Sequence, residues 1–282
     1  MSSKLYHLVR EALAEDLGNG DVTTSACVSA GTGGKGLVSA QAEGVLSGLD
    51  IVSPLVSVGA SLYGESCHVH LEPGVVDGLK VGPGQPILGL EGSLRVVLSV
   101  ERTLLNFLQH LSGVATETAR YVQAIQTTGA RIVDTRKTTP GLRELEKAAV
   151  RHGGGVNHRF GLYDGVLIKD NHIAAVGGIT AAIRAARRSV HHLLRVQVEC
   201  ETLEQAEEAV RSGADALLLD NMPTEILREA VGRYKGKVLL EASGGITLAN
   251  VREVAETGVD IISVGAITHS APVLPMHLEI VQ

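Results

Sequence analysis

VQVECETLEQAEEAVRSGADALLLDN (196–221) contains one whole repeat of the pattern that organises the second half of this chain. A short aliphatic run ends on Glu199, Thr202 stands where a helix N-cap belongs, an amphipathic stretch stops at Gly213, and a second aliphatic run ends on Asp220. Similar runs lie at RIVD (131–134), VLIK (166–169), VLLE (238–241) and IISVG (261–265), so strand-then-helix is read six times after Gly129. The five residues LIKDN (167–171) echo LLLDN (217–221). Alternation of this kind implies a parallel sheet with helical crossovers. A closed or nearly closed β/α barrel is the preferred architecture, with an open doubly wound sheet as the alternative.

Upstream the pattern differs. KLYHLVREALAEDLG (4–18) predicts a first helix, and short strand-like runs at 37–40, 67–71 and 86–90 are separated by Gly-rich loops, which suggests a small α+β domain. Over 96–126, Leu104, Leu105, Leu108, Leu111, Ala115 and Ala119 recur at helical spacing and predict one long or once-broken helix bridging the two parts. The composition, 44% hydrophobic and 20% charged, is that of a globular protein, and an aromatic share of only 2% leaves the core to aliphatic side chains. A net charge of −6 without a basic run gives no reason to expect nucleic acid as a partner. Cys27, Cys67 and Cys200 are odd in number and widely spaced, which predicts neither disulfides nor zinc and suggests a reducing compartment. Without an apolar run of about 18 residues no membrane span is expected, and the reading is a soluble, cytoplasmic protein.

The chemistry is expected at the strand ends. Asp134, Lys169, Glu199, Asp220 and Glu241 each close an aliphatic run, and in a β/α barrel such ends converge on the mouth where active sites are built. Ser243-Gly244-Gly245 and Gly265-Ala266 follow the last two runs; small residues there let backbone N–H groups approach a phosphate, aided by a helix expected to begin near Thr247. Between Asp134 and Asp170 basic residues are dense. Arg143, Lys147 and Arg151 fall at helical spacing and read as a solvated face, whereas Arg136, Lys137, His158, Arg159 and Lys169 lie in loops or at strand ends. The second group suits a small ligand carrying more than one carboxylate. Glu199 and Asp220 end consecutive strands and suit Mg²⁺ brought by a phosphorylated substrate; an ion pair with Lys137 or Lys169 explains them equally well. Other signals fail their context: Gly31, Gly33 and Gly36 precede a strand rather than a helix, His191-His192 has no partner at metal-ligand spacing, and neither Ser112 nor Ser243 sits in a nucleophile elbow.

DTRKTTPGLRELEKAAVRHGGGVNHRFGLYDGVLIKDNHI (134–173) strongly resembles the signature region of quinolinate phosphoribosyltransferases, and EDLGNGDVTT (15–24), ERTLLNFLQHLSGVAT (101–116), LEASGGIT (240–247) and GVDIISVGAITHSAP (258–272) resemble the same family in the same order. The resemblance implies a type II phosphoribosyltransferase. Its fold would be an N-terminal α/β sandwich domain over 1–112, joined by 271–282, and a β/α barrel of fewer than eight strands over 113–270. It further implies a homodimer with shared active sites, or a hexamer, in which Arg102 reaches the partner's site. There Thr135, Arg136, His158, Arg159 and Lys169 would meet quinolinate, while Lys137, Glu199 and Asp220 face phosphoribosyl pyrophosphate and Mg²⁺. Ser243, Gly244, Gly245, Gly265 and Ala266 would cradle phosphate. Electrostatic catalytic roles would fall to Lys137, Lys169, Glu199 and Asp220. The chain departs from the family at Ala148, where an aromatic is usual, at His152, where a smaller residue is usual, and at Gln197, where an acid is common; these bear on packing near the site. A nicotinate-using enzyme and a non-catalytic paralogue of the kind associated with molybdate transport are the rival readings.

Overall fold

The computed structural model describes residues 3–281. Among them no helix is long and apolar enough to cross a membrane. Two compact units divide the chain: the described residues up to Glu117 together with Arg151–Gly153 and those from Ala271 onward, and Thr118–Val150 with Gly154–Ser270. The boundary drawn from the sequence at 112/113 lies five residues earlier, inside the same helix.

In the first unit, α1 (Ser3–Leu17) and α2 (Val22–Cys27) precede β1 (Gly33–Ala40). Asp21 starts α2 by accepting the Thr24 N–H at 2.8 Å. There follow β2 (Gly44–Val45), α3 (Val52–Tyr63), β3 (Cys67–Leu71), β4 (Lys80–Val81), β5 (Pro86–Ser93) and α4 (Leu94–Ala124), the last of which runs on into the second unit. The C-terminal strand Met276–Val281 pairs antiparallel with β1, giving the order C-terminal strand, β1, β5, β3, with α3 on β3 and α1 on α3. That return explains why the chain's end belongs here. Where it passes α4 there is room only for glycine, since a Cβ on Gly113 would lie 2.2 Å from the Pro272 carbonyl oxygen. Residues 151–153 belong to this unit too: His152 Nδ1 shares a hydrogen bond of 2.8 Å with the buried Ser47 hydroxyl.

The second unit holds β6 (Arg131–Val133), α5 (Arg143–His152) up to Val150, β7 (Val166–Ile168), α6 (Asp170–Val176), α7 (Ile179–Ser189) and β8 (Val196–Cys200). It continues with α8 (Leu203–Arg211), β9 (Ala216–Asp220), α9 (Thr224–Tyr234), β10 (Leu239–Ser243), α10 (Val251–Glu256), β11 (Ile261–Ser263) and α11 (Ala266–His269). The six strands are parallel in the order β6-β11-β10-β9-β8-β7. Pairing of the first strand with the last closes the cycle except at the seam between β6 and β7, so the sheet is an incomplete barrel and not the doubly wound alternative. At that seam Val156 bridges Val133 and donates its N–H to Ile132 O at 2.9 Å. Thr202 caps α8, its hydroxyl accepting the Gln205 N–H at 3.3 Å. Thr247 caps nothing: α10 begins four residues later, because Asn250 Oδ1 takes the Thr247 N–H in a tight turn first.

One reading of the charges is corrected. Lys147 is no part of a solvated face; it and Glu146 are fully buried. Its ammonium pairs with Asp134, itself without exposure, donates to His158 O at 3.0 Å, and lies 5.1 Å from the centre of the Phe160 ring. Asp134 also accepts Asn157 Nδ2 at 2.6 Å and the His158 N–H at 2.9 Å. The period of α5 places Arg143, Lys147 and Arg151 on one stripe, and this stripe turns inward at Lys147, leaving Arg143 half-buried and Arg151 exposed. Removing one member of a buried pair strands the other charge. Lys147→Met should therefore cost about 3–5 kcal/mol in urea unfolding, whereas a loss within about 0.5 kcal/mol, the usual range for a surface site, would show that the pair anchors nothing.

Candidate active site

At the strand ends of the second unit, side chains converge through register. Parallel pairing sets Glu199 beside Leu218, so Asp220, two residues further along β9, shares its sheet face. Ser243 pairs directly with Asp220. Lys169, next after β7, reaches across to pair with Glu199. Asn221 holds the left-handed conformation (φ 54°) and lays its side chain over Gly244, where a Cβ would come within 2.2 Å of Asn221 Oδ1. Its amide donates to Asp220 Oδ2 at 2.7 Å. On the other side of the mouth the Lys137 side chain passes Gly265, with Cδ 3.2 Å from where a Cβ would stand, and Lys137 O accepts the Thr268 hydroxyl at 2.8 Å. Thr135 Oγ1 accepts the Lys137 N–H at 3.0 Å and shapes this turn. Ala266 opens α11.

Two of the five strand-end charges do not face an open mouth. Asp134 is consumed by Lys147, and Glu241 is only 2% exposed within β10. Glu241 Oε2 accepts Gln197 Nε2 at 2.7 Å and lies 3.4 Å from His158 Nε2. Burial works against the Glu241 carboxylate, but the hydrogen bond and charge of His158, with Gln197 and Ser263, hold its pKa below the ordinary value. His158 shows the converse: burial lowers it, and Glu241, aided by Gln197, raises it above the ordinary value. Gln197, marked in the sequence only as a departure bearing on packing, gains Glu241 and His158 as partners because β8 and β10 fold round one interior.

Arg159 extends along the seam, donating Nη1 to Gly165 O at 2.9 Å. Its pKa is lowered, first by burial and then by the neighbouring Arg136, with Asp164 opposing. Arg136 is exposed, and its carbonyl accepts Arg143 Nη2 at 3.2 Å. Lys137, Lys169, Glu199, Asp220, Ser243 and Gly265 thus line the mouth, Arg136 and Arg159 stand close together, and His158 points below toward Glu241. Arg102 is not among them: it is an exposed residue of α4 in the first unit. Cys200 is buried, its thiol pushed up to about 12 by burial and then by Glu199, and offers no nucleophile.

No group of three or more His, Cys, Asp or Glu side chains among the described residues can hold a metal by itself. Glu199 and Asp220 each spend one oxygen on Lys169 or Asn221. Two carboxylates on neighbouring strands fit Mg²⁺, which takes one or two from protein and completes its shell with water and substrate phosphate.

Comparisons with known proteins cover nearly the whole chain. Residues 21–112 match the family described as quinolinate phosphoribosyl transferase, N-terminal domain, and residues 114–279 match its C-terminal domain. A nicotinate-nucleotide pyrophosphorylase (carboxylating) of Mycobacterium leprae (strain TN) is 44% identical over 276 residues, covering 96% of this chain and 95% of that protein. A probable enzyme of the same name from Bacillus subtilis (strain 168) is 42% identical, covering 98% and 93%. The solved nicotinate-nucleotide pyrophosphorylase from Francisella tularensis superposes with a TM-score of 0.91 at 37% identity, covering 99% of this chain and 96% of that one.

A folded carboxyl held below its unfolded value of about 4.5 stabilises the protein above that pH and loses the contribution as pH falls through the folded pKa. Glu241→Gln should therefore flatten the acid limb of Tm against pH; an acid limb as steep as that of the parent would show that Glu241 is not held ionised.

Proposed function

Because the chain belongs to the quinolinate phosphoribosyl transferase family, we propose that it transfers the phosphoribosyl group of phosphoribosyl pyrophosphate to quinolinate with decarboxylation. The products are nicotinate mononucleotide, CO₂ and pyrophosphate, a step of de novo NAD biosynthesis. The observation that carries the choice of substrate is the cationic pair Arg136 and Arg159, in which the charge of Arg136 acts on Arg159 after burial has already disfavoured its charged form. Such a set gains most from a dianion, and quinolinate has two carboxylates where nicotinate has one.

The pyridine nitrogen attacks the ribose C1 as pyrophosphate leaves. Lys137 sits where it can meet the developing charge, beside the Gly265-Ala266 backbone, with Ser243, Gly244 and Gly245 as the second phosphate-facing turn. Glu199 and Asp220 are the residues to hold Mg²⁺, which would neutralise pyrophosphate charge as it departs. When substrate is bound, Lys169 has two anionic partners available, Glu199 and a ring carboxylate. Once its nitrogen is substituted, the cationic ring stabilises the carbanion left at C2 by loss of the 2-carboxylate as CO₂, and water supplies the proton that C2 then takes up, so no side chain need act as base. Thr135 orders the Arg136-Lys137 turn.

The reading includes a homodimer with shared active sites, in which the exposed Arg102 completes the partner's site, with a hexamer as the larger assembly, and a cytoplasmic location consistent with three free cysteines.

Purified protein given quinolinate, phosphoribosyl pyrophosphate and Mg²⁺ should yield nicotinate mononucleotide and CO₂ in equal amounts, and a chelator should stop both. Product from nicotinate, without CO₂, would transfer the assignment to the single-carboxylate substrate. Arg136→Ala and Arg159→Ala should each raise the quinolinate KM by roughly thirtyfold or more, corresponding to about 2 kcal/mol for an unpaired buried charge. Unchanged quinolinate kinetics in both variants would defeat the ligand assignment.

A further inference from the structure

Both ring nitrogens of His158 are engaged within the chain. Nδ1 accepts the Arg159 backbone N–H at 2.8 Å, and Nε2 faces Gln197 Oε1 at 3.2 Å and Glu241 Oε2 at 3.4 Å. A nitrogen that accepts a backbone N–H carries no proton, so the neutral ring holds its hydrogen on Nε2. Gln197 completes the set by donating Nε2 to Glu241 Oε2 at 2.7 Å while its carbonyl faces the imidazole. Gln197 is 9% exposed and Glu241 2%, and Glu241 Oε1, also buried, has no hydrogen-bond partner. Oε2 is the oxygen that faces both His158 and Gln197.

We propose that Gln197 and Glu241 are positioning residues for the ligand site: they fix His158 as its Nε2–H tautomer, and His158 in turn fixes the main chain of Arg159. In this arrangement His158 is a strut between the barrel interior and the seam. The strut matters because Arg159 is held at both ends, its N–H on His158 and its guanidinium on Gly165 O. A fixed guanidinium loses little freedom when it meets a carboxylate, which strengthens binding without a new contact. Glutamine suits position 197 because an amide supplies the donor for Glu241 and the acceptor for His158 together. A carboxylate there would stand about as close to Glu241 as the amide does, and one of the two acids would have to keep a proton. The choice of quinolinate as ligand rests on the reading above; the tautomer does not.

The test uses ¹⁵N-labelled full-length protein at alkaline pH, where the ring is neutral, with the His158 signals identified by their loss in His158→Asn. Ring nitrogen shifts should report the Nε2–H tautomer, both alone and with quinolinate. The Nδ1–H tautomer, or fast exchange between the two, would overturn the proposal whatever the protein's activity. Gln197→Leu should weaken quinolinate binding, measured by calorimetry, by about tenfold and leave phosphoribosyl pyrophosphate binding within about twofold. Equal losses for both ligands, or none for quinolinate, would reduce Gln197 to a packing residue. If Gln197→Leu does not fold, the tautomer of the parent protein decides. Absence of nicotinate mononucleotide from the parent would sink the proposed reaction and leave the tautomer result standing.

Discussion

A lysine and an aspartate that have both lost all contact with water, Lys147 and Asp134, fix the segment on which the candidate site depends. Burying two charges costs more than their attraction returns unless the remaining valences are filled. Here they are filled by Asn157, by the His158 N–H and by the His158 carbonyl. Those partners lie in the stretch that bridges the edge of β6, so the pair holds the open seam of the barrel as well as itself. Burial pushes the Asp134 carboxyl up, against Lys147, Asn157 and the His158 N–H, and this makes the network sensitive to the loss of any member.

From that anchor the site's polar groups separate into two kinds. Lys169 is paired with Glu199, and Glu241 accepts from Gln197 and faces the His158 imidazole, all inside the chain. Arg159 lies within the influence of the Arg136 charge, with Asp164 opposing it. A site that balances some of its charges and leaves two guanidiniums adjacent is prepared for an anion of matching charge, since the ligand relieves a repulsion already present. The phosphate-facing turns are built differently, from small residues whose close approach is set by neighbours: Asn221 above Gly244, and the Lys137 stem beside Gly265.

Much of this was legible from residue order. The strands at 131–134, 166–169, 196–199, 216–220, 238–241 and 261–265 were readable because each is a short aliphatic run between helical periods, and their parallel pairing follows from the crossovers. The ends of α1, α4 and α8 were readable from period and caps. Lys169, Glu199 and Asp220 were readable as mouth residues because a barrel places strand C-termini together. The start of α10 was misread, because the turn held by Asn250 competes locally with a cap at Thr247.

By itself, the sequence determined the order of elements, the parallel sheet and the stock of charges at its strand ends, since these rest on local periodicity and covalent spacing. Which charges meet is settled by the folding of the strands round one interior. Lys147 lies on a helical stripe with Arg143 and Arg151, and nothing local distinguishes the one that turns inward; Asp134 and Glu241 look like Glu199 and Asp220 until the strands curl. Gln197 gains its meaning from a glutamate 44 positions away that closes on the same imidazole. Burial and partner choice depend on contacts distant in the chain, and desolvation, which gives those contacts their strength, exists only once the barrel has formed.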